Sequence, residues 1–318
     1  MSLLKVAVVQ AGSILFDLEA SLDKLERLTE KAARDGAGLV LFPEAFIGGY
    51  PKGLDFGARV GLRTDQGRED FRRYFESAVE APSPACDKIA ETARKNQVHL
   101  ATGVMEKQGG TLYCSVFFFS PKGEFLGKHR KLMPTASERL IWGFGDGSTM
   151  PVIETELGRM GAVICWENYM PLLRTYMYSK QIQLYLAPTV DSRETWLPSM
   201  RHIALEGRCF VLTACQYLLR TDCPEDYPLD NEPGPDEPLI SGGSAIISPF
   251  GEVLAGPERS GEAVLTAELD LDQITRGKYD LDTTGHYARP DVFQLKVNTR
   301  PQHPLVEYSA LSKDPFEA

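Results

Sequence analysis

Apolar positions recur along the chain with two different spacings, and the two alternate. Val6-Ala7-Val8-Val9-Gln10 is a continuous apolar run of strand length. It is followed by Asp17–Asp35, where Leu18, Leu22, Leu25, Leu28 and Ala32 share one face of a helix. Asp17 is placed to cap that helix and Gly36 to end it. Gly38–Phe42 returns to a short apolar strand. The spacing then predicts helices over Glu69–Val79 and Pro84–Gln97 and a strand over Val98–Val104. Leu112–Ser120 and Glu124–Lys128 flank Pro121-Lys122-Gly123, which reads as a hairpin. Further on, strands are expected at Met160–Cys165, Gln183–Ala187 and Cys209–Ala214, with helices at Leu172–Lys180 and Trp196–Arg208 between them. A second hairpin turns at Pro249-Phe250-Gly251 between Ser244–Ser248 and Glu252–Leu254, and Ala263–Leu269 closes the series. Hairpins mixed with helical crossovers predict an α/β protein whose mixed sheets are covered by helices.

One segment breaks the pattern. Cys223–Pro238 is rich in proline and acids and poor in apolar residues, so it reads as a long surface loop. Strand-like runs of the same kind lie on both sides of it. An insertion within one domain spanning 1–318 is therefore expected, rather than a boundary. At the other end, Arg300–Ala318 has apolar residues without periodicity, which suits an interface tail or a frayed terminus.

Composition narrows the function classes. Hydrophobic residues make up 43% of the 318 and charged residues 25%, the balance of a soluble chain with a sizeable core. The net charge of −10 argues against a nucleic-acid partner and against an anionic membrane surface, since both need a basic face. The first apolar run is too short and wrongly flanked for a signal peptide, and no run reaches membrane-spanning length. Six cysteines lie scattered without a CxxC, so free thiols in a reducing cytoplasm are expected.

Three chemically useful residues sit at or just past the ends of strand-like runs, where ligand sites of open α/β sheets form. Glu44 follows Leu39-Val40-Leu41-Phe42-Pro43, Cys165 ends Met160–Ile164, and Lys131 lies just past the first hairpin. A thiol needs to lose its proton to become a strong nucleophile. Glu44 is a candidate general base, and Lys131 a candidate stabiliser of the thiolate and of charge on the attacked group. Each has an ordinary alternative. A lone buried cysteine is usually an apolar filler, Glu44 suits a solvated turn, and Lys128-His129-Arg130-Lys131 suits a basic surface run. The histidines show no paired metal spacing, and none lies near Cys165 in the chain. Gly242-Gly243-Ser244 is not GxSxG, and phosphate-binding glycine loops are absent.

The strings around these residues resemble the nitrilase superfamily, in particular its true nitrilase branch. They are Phe42–Pro51, His129–Thr135, Glu138–Gly147, Gly161–Asn168, Met200–Gly207 and Gly285–Pro290, in the family's order and spread over nearly the whole chain. The resemblance implies a single-domain α-β-β-α sandwich and a Glu44, Lys131, Cys165 catalytic set. It adds a second glutamate at Glu138, which would position Lys131 or the hydrolytic water. It also implies dimers that build into larger homo-oligomers, a nitrile and water as the small-molecule partners, and no metal or organic cofactor. Cys165 would form a thioimidate and then a thioester. Plant-type and related microbial members suggest arylaliphatic nitriles or β-cyanoalanine-like substrates. Tyr50, Trp142, Trp166, Pro188, Thr189 and Trp196 are candidate pocket residues, with the core as the alternative for Trp142 and Trp196. The rival readings are an amidase or a cyanide-hydrolysing enzyme of the same superfamily, and an assembly protein that leaves the site unused.

Overall fold

In the computed structural model, residues 3–229, 234, 237–303 and 305 are described. The elements run β1 (Leu4–Gln10), α1 (Leu18–Arg34), β2 (Leu39–Leu41), α2 (Asp65–Glu76), α3 (Pro84–Asn96), β3 (His99–Gln108), β4 (Thr111–Phe119) and β5 (Phe125–Arg130). The second half continues with β6 (Ile153–Thr155), β7 (Gly158–Ala162), α4 (Pro171–Ser179), β8 (Leu184–Leu186), α5 (Trp196–Gly207) and β9 (Phe210–Thr213). Then follow β10 (Tyr217–Leu218), β11 (Ile240–Ser241), β12 (Ser244–Ile247), β13 (Val253–Glu258), β14 (Ala263–Leu269) and α6 (Asp272–Asp280).

Two six-stranded mixed sheets result, ordered β14-β1-β2-β3-β4-β5 and β13-β12-β9-β8-β7-β6. In each, the middle strands are parallel (β1–β2–β3 and β7–β8–β9) and the flanking pairs antiparallel. Every strand of the parallel middle is buried on both faces, because alternate residues serve different cores. Val6, Leu39 and Ala101 of the first sheet meet Ala162, Leu184 and Leu212 of the second in a shared core. Ala7, Val9 and Val40 point the other way, under Leu22, Leu25 and Leu28 of α1 and Ile89 of α3. On the far side, Tyr185, Val211 and Ile247 pack under Met177 of α4 and Ile203 of α5. The layers are thus helix, sheet, sheet, helix, as the family resemblance implies.

Some boundaries differ from the sequence reading, each for a local reason. Helix α2 begins at Asp65 rather than Glu69, because the Thr64 side chain accepts from the Gly67 N–H and caps it four residues earlier. The strand expected to reach Cys165 stops at Ala162, and Cys165 instead opens a short 3-10 turn through Tyr169. The nine-residue α6 was not anticipated. In the proline-rich loop, Tyr227 is buried and its hydroxyl donates to the Lys52 carbonyl, so that end of the loop is anchored. Residues 230–233, 235 and 236 of the loop, and most of the 300–318 tail, lie outside the described residues.

Candidate active site

Glu44 sits in the turn after β2, and the turn is shaped by backbone packing. Ala45 takes a left-handed φ of 51°, and the turn lies directly on Gly103 of β3. A Cβ at Gly103 would fall 2.1 Å from the Pro43 carbonyl oxygen and 2.7 Å from the Glu44 Cα. Only glycine lets the turn approach so closely. The Gln216 side-chain amide adds a bond to the Glu44 carbonyl at 2.8 Å.

Cys165 also follows a parallel strand, β7, and is itself left-handed, with φ 50°. Side chains hold this second turn. Asn168 Nδ2 donates to the carbonyls of Val163 and Cys165, both at 2.8 Å, and the Glu167 carboxylate accepts the Ile164 N–H at 2.9 Å. The Cys165 N–H is taken by the Pro188 carbonyl at 2.9 Å. The Trp166 N–H lies at the start of the turn, where a backbone donor has no partner within the helix.

Lys131 is the first residue past β5 and completes the group. Its Nζ donates to Glu44 Oε1 at 2.7 Å and to Glu138 Oε2 at 2.8 Å, and its side chain is fully buried. Glu138 is held in turn by the Thr135 N–H at 2.6 Å and the Tyr50 hydroxyl at 2.9 Å. Glu44 Oε1 also accepts from the Cys114 thiol at 3.5 Å, while its Oε2 is buried without a hydrogen-bond partner among the described residues. The Thr189 hydroxyl donates to the Cys165 sulfur at 3.2 Å.

The charges explain the resting state. Burial would strip the proton from Lys131, but the neighbouring Glu44 carboxylate holds its pKa well above the ordinary value, so the ammonium persists. Burial raises Glu44, and Lys131 offsets part of that rise. Burial also pushes the Cys165 thiol far up, and the charge on Glu44 adds to it, while Lys131 and the Thr189 hydrogen bond pull it partly back. The thiol therefore rests protonated beside a carboxylate whose own pKa is raised, a pairing suited to proton transfer that leaves the summed charge of the site unchanged.

A cavity of about 220 Å³ opens onto Cys165 between Tyr50, Glu138, Trp166 and Arg193. A second of about 360 Å³ adjoins it across Tyr50 and Glu138, walled by Leu54, Leu140, Ile141 and Trp142. Of the expected pocket residues, Tyr50 and Trp166 line the cavity at the thiol, and Trp142 lines its neighbour. Thr189 reaches the sulfur itself, and Pro188 acts through its carbonyl. Trp196 lies elsewhere: as the first residue of α5 it is buried in the outer core against the second sheet, with its Nε1 donating to Thr213 Oγ1. Asp191 and Arg193 were missed. Trp166 Nε1 donates to Asp191 Oδ2 at 2.9 Å, and Arg193 pairs with the same carboxylate at the pocket mouth. Loop positions of this kind carry no periodic signal.

Fold and site together define a carbon–nitrogen hydrolase, and the chain belongs to that family, whose model matches residues 5–279. Solved structures with the same fold include the C. elegans NitFhit protein (20% identical, TM-score 0.74, covering 96% of this chain and 69% of that one). A carbon–nitrogen hydrolase from Helicobacter pylori G27 is 19% identical, with TM-score 0.72 over 91% of this chain and 97% of that one. Within the family the chain stands on the nitrilase branch. It is 57% identical to a nitrilase of Bradyrhizobium diazoefficiens, covering 96% of each. It is 54% identical to a bifunctional nitrilase/nitrile hydratase of Lupinus angustifolius, covering 97% of this chain and 90% of the relative.

Proposed function

We propose that this protein hydrolyses an organic nitrile to the carboxylic acid and ammonia, with Cys165 as nucleophile, Glu44 as general base and acid, and Lys131 and Glu138 as the charged frame around them. The observation that carries the reading is the buried Lys131 ammonium bridging two carboxylates beside a buried thiol. Cys165 sulfur adds to the nitrile carbon while its proton passes through Glu44 to the nitrogen, giving a thioimidate. A water, deprotonated by Glu44, adds to that carbon. Cleavage of the carbon–nitrogen bond, with a proton to nitrogen, releases ammonia and leaves a thioester. A second water then releases the acid and restores the thiol. Lys131 and the Trp166 N–H are placed to offset negative charge on the attacked group. In a correctly folded Cys165→Ala variant ammonia release should vanish; persistence would sink the scheme.

The substrate class we favour is an arylaliphatic nitrile, since the cavity beyond Tyr50, where Leu54, Phe56, Leu140, Ile141 and Trp142 stand among polar neighbours, suits a ring or chain larger than cyanide. A panel of nitriles with matching amides and cyanide, assayed for acid, amide and ammonia, tests this against the amidase and cyanide readings. Preferred turnover of cyanide or of the amide would overturn it. A nitrile hydratase activity like the one named for the lupin relative would require the tetrahedral intermediate to lose the sulfur rather than the nitrogen, and the same panel measures the amide that would form.

We read the chain as one domain and as a homo-oligomer in the cytoplasm. Family coverage of 5–279 and the core shared by both sheets support the first. Exposed Tyr279, Tyr287 and Phe293 near the C-terminal end support the second. Six free cysteines support a reducing compartment. Sedimentation analysis that gave only monomer would remove the oligomer.

A further inference from the structure

The charged pair His129–Glu167 lies outside the reaction just described. His129 is the last inward-facing residue of β5, two before Lys131; Glu167 is two after Cys165. Both side chains are fully buried. The ring Nε2 meets Glu167 Oε2 at 2.9 Å, and Nδ1 meets the Thr149 carbonyl at 2.7 Å. Both ring nitrogens face acceptors, so the arrangement is satisfied only by a doubly protonated imidazolium. Burial opposes that charge, but Glu167 and the Thr149 carbonyl outweigh it and raise the histidine pKa.

Glu167 does more than neutralise the ring. Its Oε1 accepts the N–H of Leu132 at 2.6 Å, and its Oε2 accepts the N–H of Ile164 at 2.9 Å. Leu132 directly follows Lys131, and Ile164 directly precedes Cys165. One carboxylate therefore ties the backbone beside the ammonium to the backbone beside the thiol, across two sheets that share no strand pairing. A carboxylate with three N–H donors, one of them on its histidine partner, is a rigid joint, and its loss would strand buried donors.

We propose that Glu167, paired with His129, is a positioning residue that sets the distance and orientation of Lys131 relative to Cys165. Neither side chain belongs to the wall of the Cys165 cavity. The pair acts on the reaction through the two residues it joins, and the proposal rests on the catalytic reading above. Misplacing a reacting group by about 1 Å costs roughly a hundredfold in rate, so a joint of this kind has kinetic weight beyond its contribution to stability.

The test uses full-length Glu167→Gln and His129→Gln. The first removes the charge and one acceptor. The second keeps an N–H aimed at Glu167 but removes the charge. Kinetics are taken per folded site well below each melting temperature, together with the rate of Cys165 alkylation by iodoacetamide. Glu167→Gln is expected to lower kcat by at least about 30-fold with KM within about threefold, and to slow alkylation in parallel. His129→Gln should fall between it and the parent. A lowered melting temperature with kcat and alkylation per folded site within about threefold of the parent would overturn the proposal. So would a rise in KM alone, or failure of both variants to fold, since either makes the pair something other than a positioning device. Alkylation needs no nitrile. A parent protein inert to every nitrile would sink the proposed function and still leave the joint to be judged by alkylation.

Discussion

The turn that presents Glu44 and the turn that presents Cys165 solve the same problem with different materials. Each follows a parallel strand in the middle of its sheet, and each contains a left-handed non-glycine residue, Ala45 at φ 51° and Cys165 at φ 50°. Such a residue costs about 1–3 kcal/mol and persists only where its surroundings impose it. At Glu44 the surroundings are backbone pressed on backbone, through Gly103. At Cys165 they are hydrogen-bonding side chains, Asn168 and Glu167. Glu44 stands on a shape and Cys165 on a polar network. The first should fail steeply when volume is added, and the second by degrees when bonds are removed.

The steepest failure is expected at Gly103→Ala. The new Cβ would lie 2.1 Å from the Pro43 carbonyl oxygen, and the atoms it meets are backbone that cannot rotate away. Overpacking of this kind costs about 1–3 kcal/mol of stability, and moving Glu44 by about 1 Å costs a further hundredfold or more in kcat. A folded Gly103→Ala enzyme with kcat within about tenfold of the parent would show that the Glu44 turn is not set by this contact.

Asn168→Ala should be milder in its effect on kcat. It frees two buried carbonyls, at about 1–3 kcal/mol each if they stay dry. Part of that loss appears as lower melting temperature and part as a drop in kcat on the order of tenfold to a hundredfold. If Asn168→Ala proved more damaging to kcat than Gly103→Ala, the contrast between shape and network would be reversed.

The same contrast explains what the sequence made legible. The two turns were findable because each interrupts an apolar strand with a reactive residue. Their relation to Lys131 was harder to see, since Lys128-His129-Arg130-Lys131 looks like a solvated basic run. Strand alternation divides it. Lys128 and Arg130 turn to buried Glu106 on the helix-covered face, with Arg130 Nε 2.9 Å from its Oε2. His129 and Lys131 turn inward to Glu167, Glu44 and Glu138. A period of two applied past the end of β5 would have paired His129 with Lys131. What no period reveals is which acids receive them, because those contacts join residues 7 to 87 positions apart in no fixed register. Trp196 failed for the opposite reason. An aromatic at a helix start suits a pocket or a core equally, and only the sheet's second face decides that it packs from α5 into the outer core.

Acid should affect the two turns unequally. In the proposed scheme Glu44 must be ionised to accept the thiol proton, and burial raises its pKa above the ordinary carboxylate range. The acid limb of kcat/KM should therefore fall about tenfold per pH unit below a midpoint higher than an exposed glutamate would give. The sign is fixed: a raised carboxylate is active above its pKa and lost as pH falls through it. An acid limb at or below the ordinary value, in a protein still folded by circular dichroism, would mean that Lys131 outweighs burial at this carboxylate.

The smallest expected effect separates lining the pocket from tuning the thiol. Thr189 carries a hydroxyl that donates to Cys165 sulfur at 3.2 Å and accepts the Asp191 N–H at 2.9 Å. Valine keeps the branched shape and removes both bonds. A lost neutral hydrogen bond is worth about 1 kcal/mol, roughly fivefold in rate. If Thr189 steadies the thiolate as it forms, Thr189→Val should slow iodoacetamide alkylation and kcat together by that amount and leave KM unchanged. If the residue instead serves the substrate, KM should rise while alkylation, which involves no nitrile, stays at the parent rate.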